Sequence, residues 1–267
     1  MRFGRIAAIV LRQYYLLRGS VARLLPLFAW VTVDVVLWGF ITRYLETITD
    51  SGFGFVPALL GAVLLWDFFG RVMQGVTNAF FEDVWSRNFL NVFATPLSIP
   101  EYVAGLVLSS ICTSSIALLV MVVVATAGFG LSFLAWGAAL VPFLLVLFLF
   151  GIALGLFGTA LVLRLGPASE WLVWPIPALL SPFAAVFYPV ATLPAWMQVV
   201  ARALPPSYVF ESLRAIVAGR QASLGALFAA AALAALYVLA AGAFFRHVYR
   251  YAVRTGLIAR YSAESVS

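Results

Sequence analysis

A chain of 267 residues that is 64% hydrophobic and 10% charged, with mean hydropathy +1.07, carries more apolar surface than one soluble core can hide. Soluble domains are roughly 45–50% apolar and about 25% charged, so the solvent here is lipid. Sixteen arginines, no lysine and ten acids give +6, but the arginines cluster at the two ends beside hydrophobic runs, which argues against nucleic-acid binding and marks cytoplasmic segments.

Residues 1–23 read as an amphipathic interfacial helix. Phe3, Ile6, Val10, Tyr14, Leu17 and Val21 recur at spacings of 3, 4, 4, 3 and 4, which is one helical face. Arg2, Arg5, Arg12 and Arg23 fall on another, so the expectation is an apolar face in lipid and arginines toward headgroups. The alternative is the flank of a signal anchor. No small-residue cleavage site follows the first apolar run, so no cleavable signal peptide is expected.

A span needs about 20 mostly apolar residues. Residues 24–245 read as a six-helix transmembrane domain, with spans near 24–44, 56–78, 102–126, 137–163, 171–188 and 224–245. The fifth is interrupted by Pro175, Pro177 and Pro182. Residues 79–101 form a loop with helical character before Thr95-Pro96. Residues 189–223 are too apolar for a solvated loop and predict short helices dipping into the outer leaflet. Residues 246–267 form a cytoplasmic tail, frayed at its end. With both termini inside, eleven arginines lie in cytoplasmic segments and four in outer ones, so this orientation is expected.

Polar residues inside spans are the candidate functional groups. Asp67, Arg71, Gln74 and Asn78 follow at spacings of 4, 3 and 4, a polar stripe on one face of the second span. Asp67 and Arg71 can neutralise each other. The stripe either lines a translocation path, joins two subunits or locks two helices of one subunit. Asp34 stands alone in the first span with Trp30 and Trp38 one turn away on either side. It meets Arg71 or another polar neighbour, stays neutral in apolar surroundings, or relays protons. Gly151, Gly155 and Gly158 read as helix-packing positions. Cys112 and His247 are the single cysteine and histidine, so no metal cluster, Cys/His dyad or catalytic set is expected. Without lysine there is no nucleotide-binding P-loop, and no cofactor is expected on this chain.

Three stretches resemble the membrane subunit of a type-2 ABC exporter: EDVWSRNFLNVFATPLSIPEYVAGLVL from Glu82, YPVATLPAWMQVVARALPPSYVFESLRAIVAG from Tyr188, and the amphipathic helix ahead of six spans. The resemblance implies a coupling helix over about 81–97 that docks on a separate ATPase subunit, with Glu82, Asp83, Trp85, Arg87, Asn88, Thr95 and Pro96 as its contact residues. It implies re-entrant outer helices built around Pro194, Trp196, Pro205, Tyr208, Glu211 and Arg214. Two permease copies, as a homodimer, and two ATPases holding Mg-ATP would make one exporter in a bacterial inner membrane. Its substrate would be an amphipathic or lipophilic molecule (a drug, lipid or lipid-linked glycan), or a polysaccharide. Two other classes stay open: a proton-coupled carrier or channel using Asp34, Asp67 and Arg71, and an intramembrane transferase or hydrolase, for which no nucleophile and base converge.

Overall fold

The computed structural model describes residues 2–48, 56–86, 89–131 and 140–257. Its regular elements are helices: α1 (Phe3–Arg18), α2 (Val21–Ile48), α3 (Gly61–Trp85, entered through a π turn, Val56–Leu60), α4 (Phe89–Ala94), α5 (Ile99–Phe129), α6 (Leu140–Leu165), α7 (Ile176–Leu180), α8 (Ala195–Ala203), α9 (Pro205–Val217) and α10 (Leu224–Arg254). No strand occurs among the described residues. Five helices are long and apolar enough to cross a membrane: Val21–Ile48, Ala58–Trp85, Ile99–Phe129, Leu140–Leu165 and Leu224–Arg254. The chain is therefore a multi-pass membrane protein.

The ends of these helices follow local chemistry. Ser98 starts α5 with a capping box, in which Glu101 Oε2 accepts the Ser98 backbone N–H (2.9 Å), satisfying donors that the first turn leaves without partners. Gly130 ends α5 in the left-handed conformation (φ 68°), where a Cβ would be strained.

The core centres on α3, which packs against α5 on one side and α6 on the other. Both crossings are close. A Cβ on Gly75 would sit 2.9 Å from Ser110 Cα, and the Ser110 hydroxyl donates to the Val72 carbonyl (2.8 Å). A Cβ on Gly155 would sit 2.7 Å from Val76 Cβ and 2.9 Å from the Met73 carbonyl. Small residues let the backbones approach where lipid gives no hydrophobic drive between helices. Phe69 and Phe150 stack across the same interface (5.5 Å, 13°).

We call the end holding α1, Trp85 and Ile99 proximal and the end holding Ile48, Phe129 and Leu140 distal. Ring pairs Phe150–Tyr237 (5.0 Å) and Phe157–Phe244 (5.4 Å) advance seven residues along both helices. Thus α6 and α10 run parallel, and the chain between Leu165 and Leu224 returns from the proximal to the distal end.

That return is not a continuous helix over 171–188, where a span interrupted by three prolines is expected. It is a 3-10 turn (Pro167–Leu172), the five-residue α7 and a run of turns. Pro175, Pro177 and Pro182 remove three backbone donors within eight residues and disfavour the helical conformation at each preceding residue. The first, second, third and sixth spans run longer than expected, because their helices continue into polar turns past the apolar stretches, whereas the fourth, expected over 137–163, is Leu140–Leu165.

A second expectation is overturned in part, for the arginines of α1. Its arginines do not all point toward headgroups: the Arg2 backbone N–H donates to Glu101 Oε1 (2.7 Å), Arg5 pairs with Glu101 Oε2 (3.3 Å) and Arg12 pairs with Asp83. Ile6 and Ile9 are buried, whereas Phe3 and Tyr14 of the predicted apolar face are exposed. Two arginines seven residues apart occupy one helical face, and here that face meets acids at the starts and ends of the spans. Attraction between charges in a poorly screened region outweighs their hydration at the surface.

Candidate functional site

Most of α3 is buried, and the residues that are not, Trp66 and Gly75 apart, form a line. Asp67, Arg71, Gln74, Asn78, Glu82 and Trp85 lie at spacings of 4, 3, 4, 4 and 3 on its open face. The expected stripe is therefore in place, and it continues to the proximal end, where the chain turns toward α4.

Near the middle of the membrane-spanning length, Arg71 holds two carboxylates. Its Nε donates to Asp67 Oδ2 (2.6 Å), one turn away, and its Nη2 lies 3.7 Å from Asp34 Oδ2 on α2. The second contact joins the isolated acid of the first span to the stripe of the second. The arginine side chain is largely covered, while Asp34 keeps 41% of its side-chain surface exposed. Gln74 is half-buried and Asn78 exposed.

At the proximal corner, the residues expected to dock on a partner separate. Asp83 is 1% exposed: it pairs with Arg12 and accepts the Tyr102 hydroxyl (2.8 Å), while Gln13 Nε2 donates to the Ala79 carbonyl beside it (3.2 Å). Its charge is spent within the subunit, so it is not a surface residue. Glu82 pairs with Arg23 at the start of α2 (2.5 Å). Trp85 is exposed, and its indole N–H donates to Glu170 Oε2 (2.9 Å). Thr95 is exposed and folds its hydroxyl onto the Val92 carbonyl (2.6 Å), closing α4 before Pro96. Arg87 and Asn88 lie outside the described residues. Of the expected segment 81–97, the first five residues thus belong to α3, and the short helix proper is Phe89–Ala94.

Sequence reasoning missed Arg5, Arg12, Glu101, Tyr102 and Glu170 as members of this corner. The Ser98-x-x-Glu101 pattern was readable as a helix start. That the same carboxylate would also collect Arg2 and Arg5 was not, because it depends on where α1 lies.

At the distal end, α8 and α9 form a helical hairpin. Pro194 precedes α8 and buried Pro205 opens α9, a position where the missing N–H costs nothing. Glu211 accepts the Val190 backbone N–H (2.6 Å) and Arg214 Nη2 (3.1 Å), while Arg214 Nη1 donates to the Val186 carbonyl (3.3 Å). The Tyr208 hydroxyl donates to the Arg202 carbonyl (2.8 Å), and Trp196 meets Phe183 edge-on (6.0 Å). These residues tie the hairpin to the turns that follow α7. Phe210 reaches Trp66 of α3 (6.0 Å).

The sequence model of the ABC-2 type transporter family matches residues 21–218, from the first residue of α2 to just past α9. No curated protein matches the chain.

Proposed function

The chain belongs to the ABC-2 type transporter family as a membrane permease subunit, and from that premise we propose that it forms the path of an ATP-driven exporter of amphipathic or lipophilic molecules. A separate ATPase supplies the energy, two copies of this chain face each other, and α4 is the coupling helix. The site is a bacterial inner membrane with both termini in the cytoplasm, the orientation that places the proximal end inside.

The observation that carries the reading is how α4 is held. It hangs between two long spans, and both of its bases are fastened to α1: Asp83 before it by Arg12, Glu101 after it by Arg5 and the Arg2 backbone. A short helix on stiff supports transmits a push, whereas one on loose loops absorbs it. The open face of α3 runs from this corner, at Trp85 and Glu82, up to Arg71 and Asp67. A displacement at α4 therefore reaches the intramembrane charges along one rigid element.

In this reading the return from α6 to α10 is a sixth, broken crossing. Support comes from its two ends: Glu170 meets Trp85 at the proximal corner, and Phe187 stacks on Trp38 (5.8 Å). Trp38 lies one turn distal to Asp34, the partner of Arg71, so helical rise puts these contacts roughly 27 Å apart along the bundle, close to a hydrocarbon thickness of about 30 Å. The α8–α9 hairpin then re-enters from the outer side as far as Trp66, and α1 lies in the inner interface with Phe3, Leu11 and Tyr14 toward lipid.

Replacing Phe89–Ala94 by six glycine and serine residues should cut co-purification of the partner ATPase at least tenfold while the permease stays monodisperse in detergent. Unchanged ATPase yield would end the coupling assignment. A proton-driven carrier using Asp34, Asp67 and Arg71 is the second reading, favoured by the half-exposed Asp34 carboxylate. It predicts transport driven by a proton gradient in vesicles that hold the permease alone.

A further inference from the structure

The arginines of the proximal end divide into two sets. Arg5, Arg12 and Arg23 find acids on neighbouring helices. Arg164 in the last turn of α6 and Arg246, Arg250 and Arg254 on α10 are exposed, and none of these four forms an ion pair among the described residues. No acid occurs anywhere on α10. A helix dipole favours cations only within the last turn, which accounts for Arg254 and leaves Arg246, two turns earlier, unexplained.

The packing of α10 fixes where these cations point. Phe245, Val248 and Ala252 form its buried line at this end. Arg246 and Arg250 follow exposed Leu239 by 7 and 11 residues, and Arg254 follows exposed Leu236 by 18, close to two, three and five helical turns. The cations therefore continue the outward apolar line of the span.

Their depth follows from helical rise. The uncharged residues 224–245 rise about 33 Å, against a hydrocarbon thickness of about 30 Å. Arg246 stands at the rim of the hydrocarbon, with Arg250 about 6 Å and Arg254 about 12 Å beyond it. The headgroup layer on one side of a bilayer is roughly 5–8 Å deep, so the first two arginines lie at the level of lipid phosphates. Phe157 stacks on Phe244, and Arg164 and Tyr251 each lie seven residues further on. On parallel helices Arg164 comes level with Tyr251, whose exposed ring is of the kind that settles at membrane interfaces.

We propose that Arg246 and Arg250, flanked by Arg254 and Arg164, hold the phosphate groups of anionic phospholipids against the α6–α10 pair. A guanidinium presents two parallel donors to a phosphate, and basic residues gathered at the end of neighbouring spans suit lipid headgroups. A second copy seated on this line by a two-fold axis would set arginine against arginine. A soluble partner would not reach Arg246 at the hydrocarbon rim. The inference needs α10 to be a span and stands apart from the export reading.

The test places the full chain in phosphatidylcholine bilayers with trace spin-labelled phosphatidylglycerol or spin-labelled phosphatidylcholine. Electron paramagnetic resonance reads the motionally restricted fraction of each probe. Phosphatidylglycerol should associate with the protein at least threefold more strongly than phosphatidylcholine. Joint replacement Arg246→Gln, Arg250→Gln and Arg254→Gln should bring that ratio below 1.5, whereas Arg18→Gln with Arg202→Gln, at exposed sites elsewhere, should leave it within a fifth of wild type. No preference in wild type, a preference kept by the folded triple variant, or an equal loss in the Arg18/Arg202 control overturns the proposal. Should the triple variant not fold, Arg250→Gln with Arg254→Gln keeps the rim cation and should still halve the ratio; an unchanged ratio overturns it. Displacement of the probe by millimolar inorganic phosphate would make this a site for a free anion and overturn the lipid assignment. A triple variant that keeps the lipid preference yet loses its ATPase or its dimer would give the face to those proteins and overturn it as well.

Discussion

Arg71 is the residue on which the intramembrane charges depend. Replacing it with methionine leaves Asp67 and Asp34 facing each other with no cation between them, and removing one partner of a buried pair costs about 3–5 kcal/mol. Asp34 keeps 41% of its surface and Asp67 25%, so screening brings the expected loss to roughly 1–3 kcal/mol. Arg71→Met should therefore lower the melting temperature in detergent, and adding Asp67→Asn should recover part of the fall. If the double variant melts no higher than the single, the pair is not what the arginine supports. The stripe itself was legible, since spacings of 4, 3 and 4 fix a helix face whatever surrounds it. Asp34 was named as a possible partner of Arg71 but not assigned, because that pairing depends on the register between α2 and α3. Asp83 shows the opposite limit. A carboxylate beside Glu82, Trp85 and Arg87 reads as a surface charge, and nothing in the local pattern says that Arg12 and Tyr102 will enclose it.

At the scale of elements, α1 is held by what its charges find. Its apolar periodicity predicted a helix, which is present over Phe3–Arg18, yet the face it buries carries Arg5, Arg12, Ile6 and Ile9. Period alone cannot distinguish a lipid face from a protein face, because both are apolar and ion pairs can make a charged face the buried one. Arg12→Leu removes the partner of a nearly inaccessible carboxylate, whereas Arg18→Leu removes an exposed charge for which no ion pair is formed among the described residues. Trypsin should consequently cut the N-terminal helix of the Arg12→Leu protein several-fold faster than wild type, and that of Arg18→Leu no faster at its remaining sites. Equal rates would show that burial of Ile6 and Ile9 holds α1 without the charges. The broken element after α6 was partly legible: three prolines marked it as irregular, but hydropathy averages across a window and reports a span whether or not the backbone is helical.

At the scale of the whole molecule, parallel α6 and α10 require a return path, and the question is whether it lies within the bundle or around it. Lipid tolerates non-helical backbone only where protein surrounds it. The two ends of the return meet that condition: Val173, against Gly158, is buried near one, and Ala184, Ala185 and Val186 near the other, while Trp171 and Leu179 project outward as apolar cover. Exposed apolar side chains over a buried irregular backbone suit a crossing in lipid better than a loop in water, where Trp171 and Leu179 would gain nothing from exposure. Cysteines placed singly at Glu170 and at Thr192 on a Cys112→Ser background should therefore react with a membrane-impermeant maleimide from opposite sides. Ser86→Cys should follow Glu170→Cys, and Ser223→Cys should follow Thr192→Cys, because the first pair lies at the proximal end and the second at the distal end. Labelling of Glu170→Cys and Thr192→Cys from the same side would put the return outside the bilayer. It would also place Leu165 and Leu224 on one face, which two parallel membrane-crossing helices cannot satisfy, so α6 or α10 would then have to be something other than a span.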